Sequence, residues 1–599
     1  MATATLPNSI SVDVVVWGGG TGGVAAALQA ARSGVDTLLL TPGAWLGGML
    51  SSAGVCAPDG HELSCWQTGL WGEFLHGMAD LEPNGLDQNW VSCFGFRPNT
   101  AEKLLRDWVG REPQLQWLPS CELLSVTRQE DLIDQLRVGT AEEQHQITAR
   151  VVIDGSDLGD LMALAEVPHR WGWEPQEQWG EPSAPRRERL ETELFFRDHP
   201  VQSPTWVSFG QLNKSGADLR AVAEPNGPFE GCLSTFGLER TLSYGRLPGG
   251  LVMLNWPLNG NDWHDGLHRA ISPDATERHS LAAEMQCHSF SFLKELQRCS
   301  DGWLSPGEGI PGLGSPLALM AYWREGRRLI GRTTVTELDL LPIKPGAKRG
   351  SLPINAEGEC TSIAVGTYSN DHHYPGEDWP LAAKSCRWGG RWTGTPFCIP
   401  FDALVSEHTT NLLMADKAFS VSHMANGATR LQPLILNIGQ AAGLAAAQAV
   451  KQHCRPNELS IRALQLALLH DDQAPAAVLP LWEWPWWHPN WVKAQCEALD
   501  QPDRINPFGV LESSTDRSRP SADEAPRSSH QLLVVGVLKR PDSWSYRLEG
   551  AEGSWPLITL EPGVESWLKG FNGGEQLRLR VIRNPWGPWL RVLGGHQLS

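Results

Sequence analysis

The chain has 599 residues, of which 41% are apolar and 20% are charged, so it is long enough for several globular domains. Its net charge of −19 argues against a nucleic-acid partner, which would need a basic face. No apolar stretch approaches the ~20 residues of a membrane span, no secretory signal opens the sequence, and the 12 cysteines form no CxxC pair. We therefore expect a cytoplasmic protein with reduced thiols, no metal site and no membrane span, while the oligomeric state stays open.

Near the amino terminus, an apolar strand runs directly into a glycine-rich turn. Residues 14–17 precede the pattern Gly18-x-Gly20-x-x-Gly23, an alanine-rich helical stretch follows, and residues 35–40 form a second buried strand. This order is typical of a dinucleotide-binding βαβ unit, in which Gly18 permits the tight turn, Gly20 lets the backbone approach a pyrophosphate, and Gly23 lets helix and strand pack closely. The N-terminus of the helix then attracts the anion. The alternative is a glycine-rich turn without a ligand.

The second strand ends in Thr41 and Pro42, where a carboxylate that holds the adenosine ribose is usual. Thr41 offers a hydroxyl group but no charged acceptor. NADP fits poorly as well, because no arginine stands beside Thr41 in the sequence to take its phosphate. The glycine turn alone therefore leaves the dinucleotide unidentified.

Composition and periodicity divide the rest of the chain. Strands and helices alternate at first, and a buried strand over residues 147–153 ends at Asp154. A Pro- and Trp-rich stretch follows, and then a short buried strand over 411–416 and a helix over 434–449 rich in small residues. The segments that we predict are 11–170, 171–399, 400–455, a helical and Trp-rich extension over 456–511, a disordered linker over 512–530, and a small all-β module over 531–599.

Tryptophan is unusually frequent, with 28 residues against 5 tyrosines. Five of them lie close together in the extension, at Trp482, Trp484, Trp486, Trp487 and Trp491. We favour aromatic packing between domains over a stacking surface for sugars or another flat ligand, because large aromatic side chains dominate interfaces of every kind.

Five blocks of sequence between residues 12 and 450 occur in the order found in one large family. They are the glycine turn with residues 46–50, residues 152–161 with 179–182, residues 254–262, residues 324–331, and residues 420–433 leading into 437–443. On these blocks the chain resembles the poorly characterised FAD-dependent oxidoreductases with a glutathione-reductase-like flavin fold. The resemblance implies an α/β protein with FAD as cofactor. Its FAD/NAD(P)-binding, Rossmann-like flavin domain would combine 11–170 with 400–455, and a mixed substrate domain would be inserted between them.

The resemblance also implies a set of cofactor contacts. The three glycines of the turn hold the pyrophosphate, and Thr41 stands where the family normally has a ribose-binding Glu. The remaining contacts lie along the inner end of the flavin (Gly47, Gly48 and Met49), at the end of the second-block strand (Asp154), and at or beside the start of the helix whose positive end faces the isoalloxazine (Gly439, Gln440 and Ala441). Asp416 departs from the family pattern, because close relatives carry glycine there.

Two groups of histidines are candidates for the proton transfer that flavin-dependent oxidation often needs. His423 lies just before the helix expected under the flavin, and its alternative role is that of a buried or capping residue. His372 and His373 lie in a polar loop beside Asp371. There they would form a base with an orienting carboxylate, an incomplete metal site, or simply a solvated loop.

An arginine-rich stretch is the third candidate. Arg324, Arg327 and Arg328 lie on a predicted helix, where Arg324 and Arg328 share one face at i, i+4 spacing. On that face Arg328 would help to clamp a carboxylate or phosphate of the substrate. The alternative is ion pairing with acidic neighbours such as Glu325 and Glu337.

No second GxGxxG pattern follows a strand, so the sequence shows no separate NAD(P)H domain. We expect an FAD-dependent oxidoreductase that dehydrogenates a small or medium-sized organic substrate by hydride transfer to the flavin, with an unknown electron acceptor. Two alternatives stay open. One is an NAD(P)H-using flavin monooxygenase, and the other is a non-catalytic carbohydrate-binding or assembly protein that retains a flavin fold.

Overall fold

The computed structural model describes residues 7–82, 84–213, 219–376, 379–512, 521, 522, 524, 528, 530–551, 553–584 and 589–598. The strands are β1 (Ser9–Trp17), β2 (Thr37–Leu40), β3 (Leu115–Leu118), β4 (Glu122–Gln129), β5 (Leu132–Gly139), β6 (Gln144–Asp154), β7 (His169–Arg170), β8 (Ser208–Leu212), β9 (Leu251–Leu254), β10 (Leu304–Pro306), β11 (Arg328–Leu329), β12 (Ser362–Gly366), β13 (Ser385–Trp388), β14 (Arg391–Gly394), β15 (Phe397–Pro400), β16 (Leu412–Met414), β17 (Leu532–Lys539), β18 (Tyr546–Gly550), β19 (Gly553–Thr559), β20 (Gln576–Arg583) and β21 (Leu590–Gln597).

The α-helices are α1 (Thr21–Arg32), α2 (Gly69–Leu81), α3 (Pro98–Arg111), α4 (Asp160–Leu164), α5 (Gln176–Trp179), α6 (Arg187–Thr192), α7 (Leu194–Asp198), α8 (Gly237–Ser243), α9 (Ala275–Cys299), α10 (Glu337–Leu340), α11 (His423–Thr429), α12 (Gln432–Gln452), α13 (Ile461–Leu469), α14 (Trp491–Asp500) and α15 (Pro562–Lys569). Short 3₁₀ turns cover Gly48–Leu50, Gly227–Phe229, Pro248–Gly250, Leu267–Ile271, Phe401–Ala403, Pro456–Glu458 and Pro502–Arg504.

The central layer is a seven-stranded sheet in the order β3-β2-β1-β6-β5-β4, with β16 paired to the second half of β6. β1 runs parallel to β2 and β6, β2 to β3, and β16 to β6, whereas β5 is antiparallel to β4 and β6. In register, Val14 of β1 pairs with Thr37 on one side and with Val151 on the other. The carboxyl-terminal halves of the central strands are buried on both faces, which is why they occur in the sequence as continuous apolar runs.

The carboxyl ends of the parallel strands meet at one edge of this sheet, where ligands bind in open α/β proteins. Asp154 at the end of β6 pairs with Trp17 of β1 on one side and with Met414 of β16 on the other. β16 therefore brings a segment from far along the chain to the edge that carries the glycine turn. A short buried strand here is what the sequence predicts.

α1 and α12 pack closely against each other on one face of the sheet. A Cβ at Gly439 would overlap the Gly22 carbonyl oxygen, and one at Gly443 would overlap the Ala26 carbonyl oxygen. The small residues of α12 therefore serve contact between two helices. The described residues contain one helix that is apolar and long enough to cross a membrane. It is α12, and 94% of its apolar stretch is buried inside the protein.

α12 begins at Gln432, earlier than the sequence indicates, because Pro433 occupies the first turn, where its missing N–H has no helical partner to lose. Gly439, Gln440 and Ala441 consequently lie inside the helix and not at its start. The Gln440 side chain accepts a hydrogen bond from the N–H of Leu70 and donates one to a backbone carbonyl. The prediction that these three residues begin or border the start of the helix is therefore wrong, and their implied contact with the flavin stays a prediction.

A second, smaller layer contains the antiparallel sheet β10-β8-β9 and the long helix α9. Asp274 caps α9 by accepting a hydrogen bond from the N–H of Thr276. Phe292 and Leu296 of α9 pack against Val252 and Leu254 of β9 in a separate apolar core. Met253 of β9 lines the inner chamber of the candidate site described below.

The strands β17 to β21 form a closed barrel in the order β17-β18-β19-β21-β20. α15 follows β19, so this region is not all-β as the sequence suggests. The barrel touches the rest of the chain through backbone hydrogen bonds, from the N–H of Thr559 to Gly389 and from the N–H of Ser64 to Leu560. The predicted disordered linker over 512–530 lies mostly outside the described residues.

Three of the five clustered tryptophans are packed inside the protein, and Trp486 and Trp487 are half-buried. Trp482, Trp484 and Trp491 are all at most 5% exposed, and Trp482 contacts Trp66 edge-on with ring centroids 5.7 Å apart. The packing role that we favoured from the sequence fits this burial, although Trp482 also lines a cavity of about 210 Å³.

Candidate active site

The glycine turn is shaped by close backbone contacts. Gly18 has a φ of +109°, and a Cβ there would lie 2.5 Å from the carbonyl carbon of Gly155. A Cβ at Gly23 would overlap the Gly18 carbonyl oxygen, which agrees with its predicted role in packing helix against strand. Gly20 caps α1, and a Cβ there would lie 3.0 Å from the Asp416 carboxylate.

The N-terminus of α1 is partly occupied by a carboxylate of the protein itself. The N–H of Gly22 donates to Asp416 at 2.8 Å, whereas the N–H groups of Thr21 and Gly23 donate to no other described residue. Lys417 forms ion pairs with Asp416 and Asp157, which compensates the buried charge. Burial raises the pKa of Asp416 despite Lys417. A diphosphate at this helix would therefore meet the N–H groups that Asp416 leaves unpaired.

Thr41 lies at the end of β2 with its hydroxyl group already bonded. The hydroxyl donates to the Gly43 carbonyl at 2.7 Å and accepts from Trp117 Nε1 at 3.0 Å. Its oxygen therefore keeps one lone pair that is free to accept a hydrogen bond from a ribose. An arginine does approach this point from α3, because the Arg106 guanidinium lies 4.7 Å from the centroid of the Trp117 ring. Sequence reasoning missed Arg106 because tertiary packing brings it here.

The loop after β2 lies directly on the glycine turn. The N–H of Gly47 donates to Gly19, the Thr21 hydroxyl donates to the Gly47 carbonyl, and a Cβ at Gly48 would lie 2.8 Å from Gly20 Cα. Gly47 has a φ of +106°, which favours glycine. Met49 follows as a buried residue.

The Asp154 carboxylate forms its hydrogen bonds within the protein. It accepts hydrogen bonds from the N–H and hydroxyl groups of Ser156 and from the N–H of Met162. Burial raises the pKa of Asp154 to about 6, although these hydrogen bonds oppose the shift. The Asp154 carboxylate therefore organises the turn into α4, and the implied cofactor contact stays a prediction.

Unpaired polar atoms at two helix N-termini fit FAD. At α1 they are the N–H groups of Thr21 and Gly23, and at α12 they are Gln432 Oε1 and Arg430 Nε, both buried and without a partner among the described residues. A dinucleotide with an anionic diphosphate and a flavin ring carries acceptors for the N–H groups and a donor for the amide oxygen. The N-terminus of α12 also favours the negative charge of a reduced flavin.

A cleft leads from the surface to the N-terminus of α12. Its outer part has a volume of about 430 Å³, and a narrow inner chamber continues it to Leu431 and Gln432. Both parts are lined by Asp59, Tyr244, Tyr368, Asp371 and His373. A larger cavity of about 620 Å³ lies at the opposite end of the parallel strands and contains none of these residues.

Tyrosine marks this region of the protein. Of the 5 tyrosines in the chain, three line the inner chamber (Tyr244, Tyr322 and Tyr368), and Tyr374 lines an adjoining cavity of about 230 Å³. The sequence analysis did not consider where the few tyrosines lie along the chain. Their positions would have pointed to this region.

His373 lies between two carboxylates. Its Nδ1 is 2.6 Å from Asp262 and its Nε2 is 2.9 Å from Asp371, so both ring nitrogens carry protons. Burial and Arg324 lower the pKa of His373, but the two carboxylates outweigh them and the pKa is raised overall. His373 is therefore a fixed cation in the cleft and cannot accept a proton while both contacts persist.

Asp59 is the residue of the cleft that the sequence analysis missed. Its carboxyl group forms no hydrogen bond or ion pair with another described residue, although it lines both the cleft and the inner chamber. Burial raises the pKa of Asp59 well above its usual value, and the charges of Glu62 and Asp371 raise it further. A carboxyl group with these properties is a candidate for proton transfer.

His372 and His423 belong to a buried hydrogen-bonded chain. His372 Nε2 lies 3.1 Å from the Met424 carbonyl, and its Nδ1 lies 2.9 Å from the Tyr374 hydroxyl. That hydroxyl also contacts His423, whose Nδ1 lies 2.8 Å from Glu325. Burial lowers the pKa of His372 to about 3 and that of His423 well below its usual value.

These contacts change the predicted roles of the histidines. His423 is 1% exposed and lines neither the cleft nor the adjoining cavity, which supports the buried role, whereas Ser422 caps α11. His372 faces the adjoining cavity, and His373 faces the cleft itself. The interpretation of the loop as merely solvated is wrong, because both rings are fixed by protein partners. Among the described residues, no group of three or more His, Cys, Asp or Glu side chains is placed to hold a metal ion.

The predicted helix at Arg324 to Arg328 is wrong. Arg328 belongs to the short strand β11, because its buried guanidinium bridges Glu174 at 2.9 Å and Glu325 at 3.1 Å. This tertiary ion pairing overrides a local helical tendency. Arg324 pairs with Asp262 at 3.1 Å and lines the inner chamber, so both arginines already hold a carboxylate of the protein.

The alternative role that we predicted for Arg328 was ion pairing with Glu325 or Glu337, and the pair with Glu325 is confirmed. Glu337 forms an ion pair with Lys384 instead.

Comparison with known proteins gives distant structural similarities. No curated protein matches the chain. A myxobacterial chondrochloren halogenase is 10% identical, with a TM-score of 0.32 and coverage of 76% of this chain and 77% of that one. An aromatic hydroxylase from angucycline biosynthesis is 14% identical, with a TM-score of 0.28 and coverage of 54% and 56%. The p-nitrophenol 4-monooxygenase of Pseudomonas putida is 13% identical, with a TM-score of 0.23 and coverage of 37% and 52%. The chain spans between 26% and 52% of the length of three matched structures.

A family model described as FAD dependent oxidoreductase matches residues 13–468. The match includes the glycine turn, the parallel strands, the cleft and α12, and it ends before the tryptophan cluster and the barrel. Because the match covers most of the chain, the protein belongs to the FAD-dependent oxidoreductase family, and FAD is its cofactor.

Proposed function

We propose that the protein dehydrogenates a small or medium-sized organic substrate in the Asp59 cleft, with FAD taking the hydride. The observation that carries this proposal is the cleft of about 430 Å³, which ends at the N-terminus of α12 beside an unpaired carboxyl group. A concave site with convergent polar groups and a carboxyl whose pKa is strongly raised is the arrangement expected of a catalytic pocket.

The residues of the cleft divide the work of an oxidation. Bound FAD supplies a ring that accepts a hydride from carbon. Asp59 in its ionised form accepts the proton from the N–H or O–H group of the substrate as the C–H bond breaks. Burial raises the pKa of Asp59, so its carboxylate is a stronger base than an exposed one.

The other charged groups set the electrostatic surroundings of the base. The Tyr368 hydroxyl donates to Asp371 at 3.3 Å, and Asp371 also bonds His373 and Arg430. These contacts fix the charges beside Asp59. They leave Asp59 and the Tyr244 hydroxyl free of protein partners in the described structure.

The experiment is reduction of the bound flavin without oxygen. The purified holoprotein is mixed anaerobically with a panel of primary amines, secondary amines and alcohols, and the visible flavin absorbance is followed. We expect bleaching by one substrate class in the wild type and slower bleaching in Asp59→Asn. The matched control is Asp134→Asn, an exposed carboxyl in the separate cavity of about 620 Å³. Bleaching by NADH or NADPH alone, with oxygen consumption that needs them, would favour the monooxygenase alternative.

A further inference from the structure

The Asp59 carboxyl is surrounded by charged groups that are already paired with one another. Glu62 pairs with Arg391 at 2.9 Å, and Asp371 pairs with Arg430 at 3.2 Å. Arg391 and Arg430 are near enough to lower the pKa of Asp59 in part, yet each is bonded to another carboxylate. Within the described residues, Asp59 therefore lacks a cation of its own.

Aromatic rings form much of the cleft wall around this carboxyl. The rings that line it are Trp90, Phe236, Tyr244, Trp256, Tyr368 and Trp392. Tyr244 meets Trp90 and Trp256 edge to face, with centroids 5.4 Å and 5.3 Å away. The faces of such rings carry negative charge density and attract cations that lie within about 6 Å.

We propose that the cleft binds its substrate as a cationic amine, with the ammonium group held between Asp59 and the aromatic wall. This inference rests on the proposed function and names its substrate class. A neutral alcohol gains no ion pair at Asp59, whereas an ammonium group stabilises the ionised carboxylate and gives it a cation to bond. None of the fixed cations of the cleft bonds Asp59, because Arg391 pairs with Glu62, and Arg430 and His373 share Asp371.

The chemistry balances with FAD as the oxidant. Asp59 first takes one proton from the ammonium group, which leaves the neutral amine with a free electron pair. The C–H bond next to nitrogen then breaks, and its electron pair and proton pass together to the flavin as a hydride. The nitrogen electron pair forms a C=N bond, so the amine loses two electrons and the flavin gains them. Water later converts the resulting iminium ion to a carbonyl compound and an amine or ammonia.

This assignment fixes the pH dependence of binding. Burial raises the pKa of Asp59, so in the empty protein the carboxyl is protonated over a wider pH range than an exposed one. Binding of a cation then releases that proton, and amine affinity should rise by up to about tenfold per pH unit until Asp59 is ionised. The charged and titratable groups that face Asp59 or share a cavity with it are Glu62, Asp371, His373, Arg324, Arg391, Arg430, Tyr244, Tyr322 and Tyr368.

The test is titration calorimetry of the FAD-loaded protein with two probes of equal shape, 2-phenylethylamine and 2-phenylethanol. The measurement is repeated at several pH values and in buffers of different ionisation enthalpy. The dependence of the binding enthalpy on the buffer gives the number of protons released on binding. We expect wild type and Asp134→Asn to bind the amine at least about tenfold tighter than the alcohol, which corresponds to about one ion pair in a partly buried site. Asp59→Asn should lose that preference and its pH dependence.

Equal affinity for both probes in the wild type overturns the proposal. So does an amine preference that survives in Asp59→Asn, or the failure of both probes to bind. Failure of the proposed function is a separate result, because it appears as bound FAD that no amine or alcohol reduces. In that case an Asp59-dependent amine preference would still be measured by calorimetry.

Discussion

Replacing Arg328 with methionine removes the cation that two buried carboxylates share. The Arg328 side chain is fully buried, and its guanidinium lies 2.9 Å from Glu174 and 3.1 Å from Glu325. Breaking a buried ion pair by removing one partner costs about 3–5 kcal/mol, because an uncompensated charge stays behind. We expect Arg328→Met to lose about that much unfolding free energy at neutral pH.

The loss should grow with pH. Burial raises the pKa of Glu325 to about 7, and Arg328 opposes that shift, so the variant raises this pKa further. Folded Arg328→Met then retains a proton that the unfolded chain releases above the ordinary value of 4.5. Because the folded state binds more protons, stability falls as pH rises from 4.5 through the raised pKa, and more steeply than in the wild type.

The assay is urea unfolding followed by tryptophan fluorescence at acidic and at mildly alkaline pH. The control is Arg332→Met, because Arg332 pairs with Asp402 at 3.2 Å with both side chains about two-fifths exposed. Such surface pairs contribute about 0–1 kcal/mol. If Arg328→Met unfolds at the same urea concentration as Arg332→Met at both pH values, Arg328 is not a structural anchor, and a role as substrate clamp would replace it.

Three further predictions follow from the site and the barrel. Gly20→Val should abolish bound FAD, measured as the ratio of flavin to protein absorbance. The control Gly43→Ala, where a Cβ meets open space, should retain FAD. Normal flavin content in Gly20→Val would remove the basis for the cofactor site. Asp59→Asn should lower kcat by about 100-fold with Asp134→Asn unchanged, in line with loss of a general base, and equal rates would exclude Asp59 as the base. Deleting residues 531–599 should retain FAD but lower the urea midpoint, because Ile558 and Leu560 pack in the main core; an unchanged midpoint would show that the barrel does not stabilise that core.

Local signals predicted the cofactor end of the fold. The strand, glycine turn and helix from β1 to α1 follow from a continuous apolar run and closely spaced glycines, which act within a few residues of each other. The short strand β16 was also predictable, because a strand buried on both faces must be apolar throughout. The start of α12 was missed by two residues, since Gln432 and Pro433 do not continue the apolar pattern.

The substrate side depends on contacts that sequence spacing does not show. Asp59 stands out only because Glu62 and Asp371 have other partners, and those partners come from distant segments. Arg328 has the pattern of a helical residue, but two carboxylates hold it in an extended strand. Burial likewise separates the neighbours His372 and His373, since one belongs to an internal hydrogen-bonded chain and the other faces the cleft.

The most direct test is the visible spectrum of the purified holoprotein during anaerobic addition of 2-phenylethylamine, in the wild type and in Asp59→Asn. The account predicts a flavin spectrum in both proteins, bleaching in the wild type, and bleaching about 100-fold slower in Asp59→Asn. Flavin that bleaches at the same rate in both proteins, or a protein that binds no FAD, would contradict it.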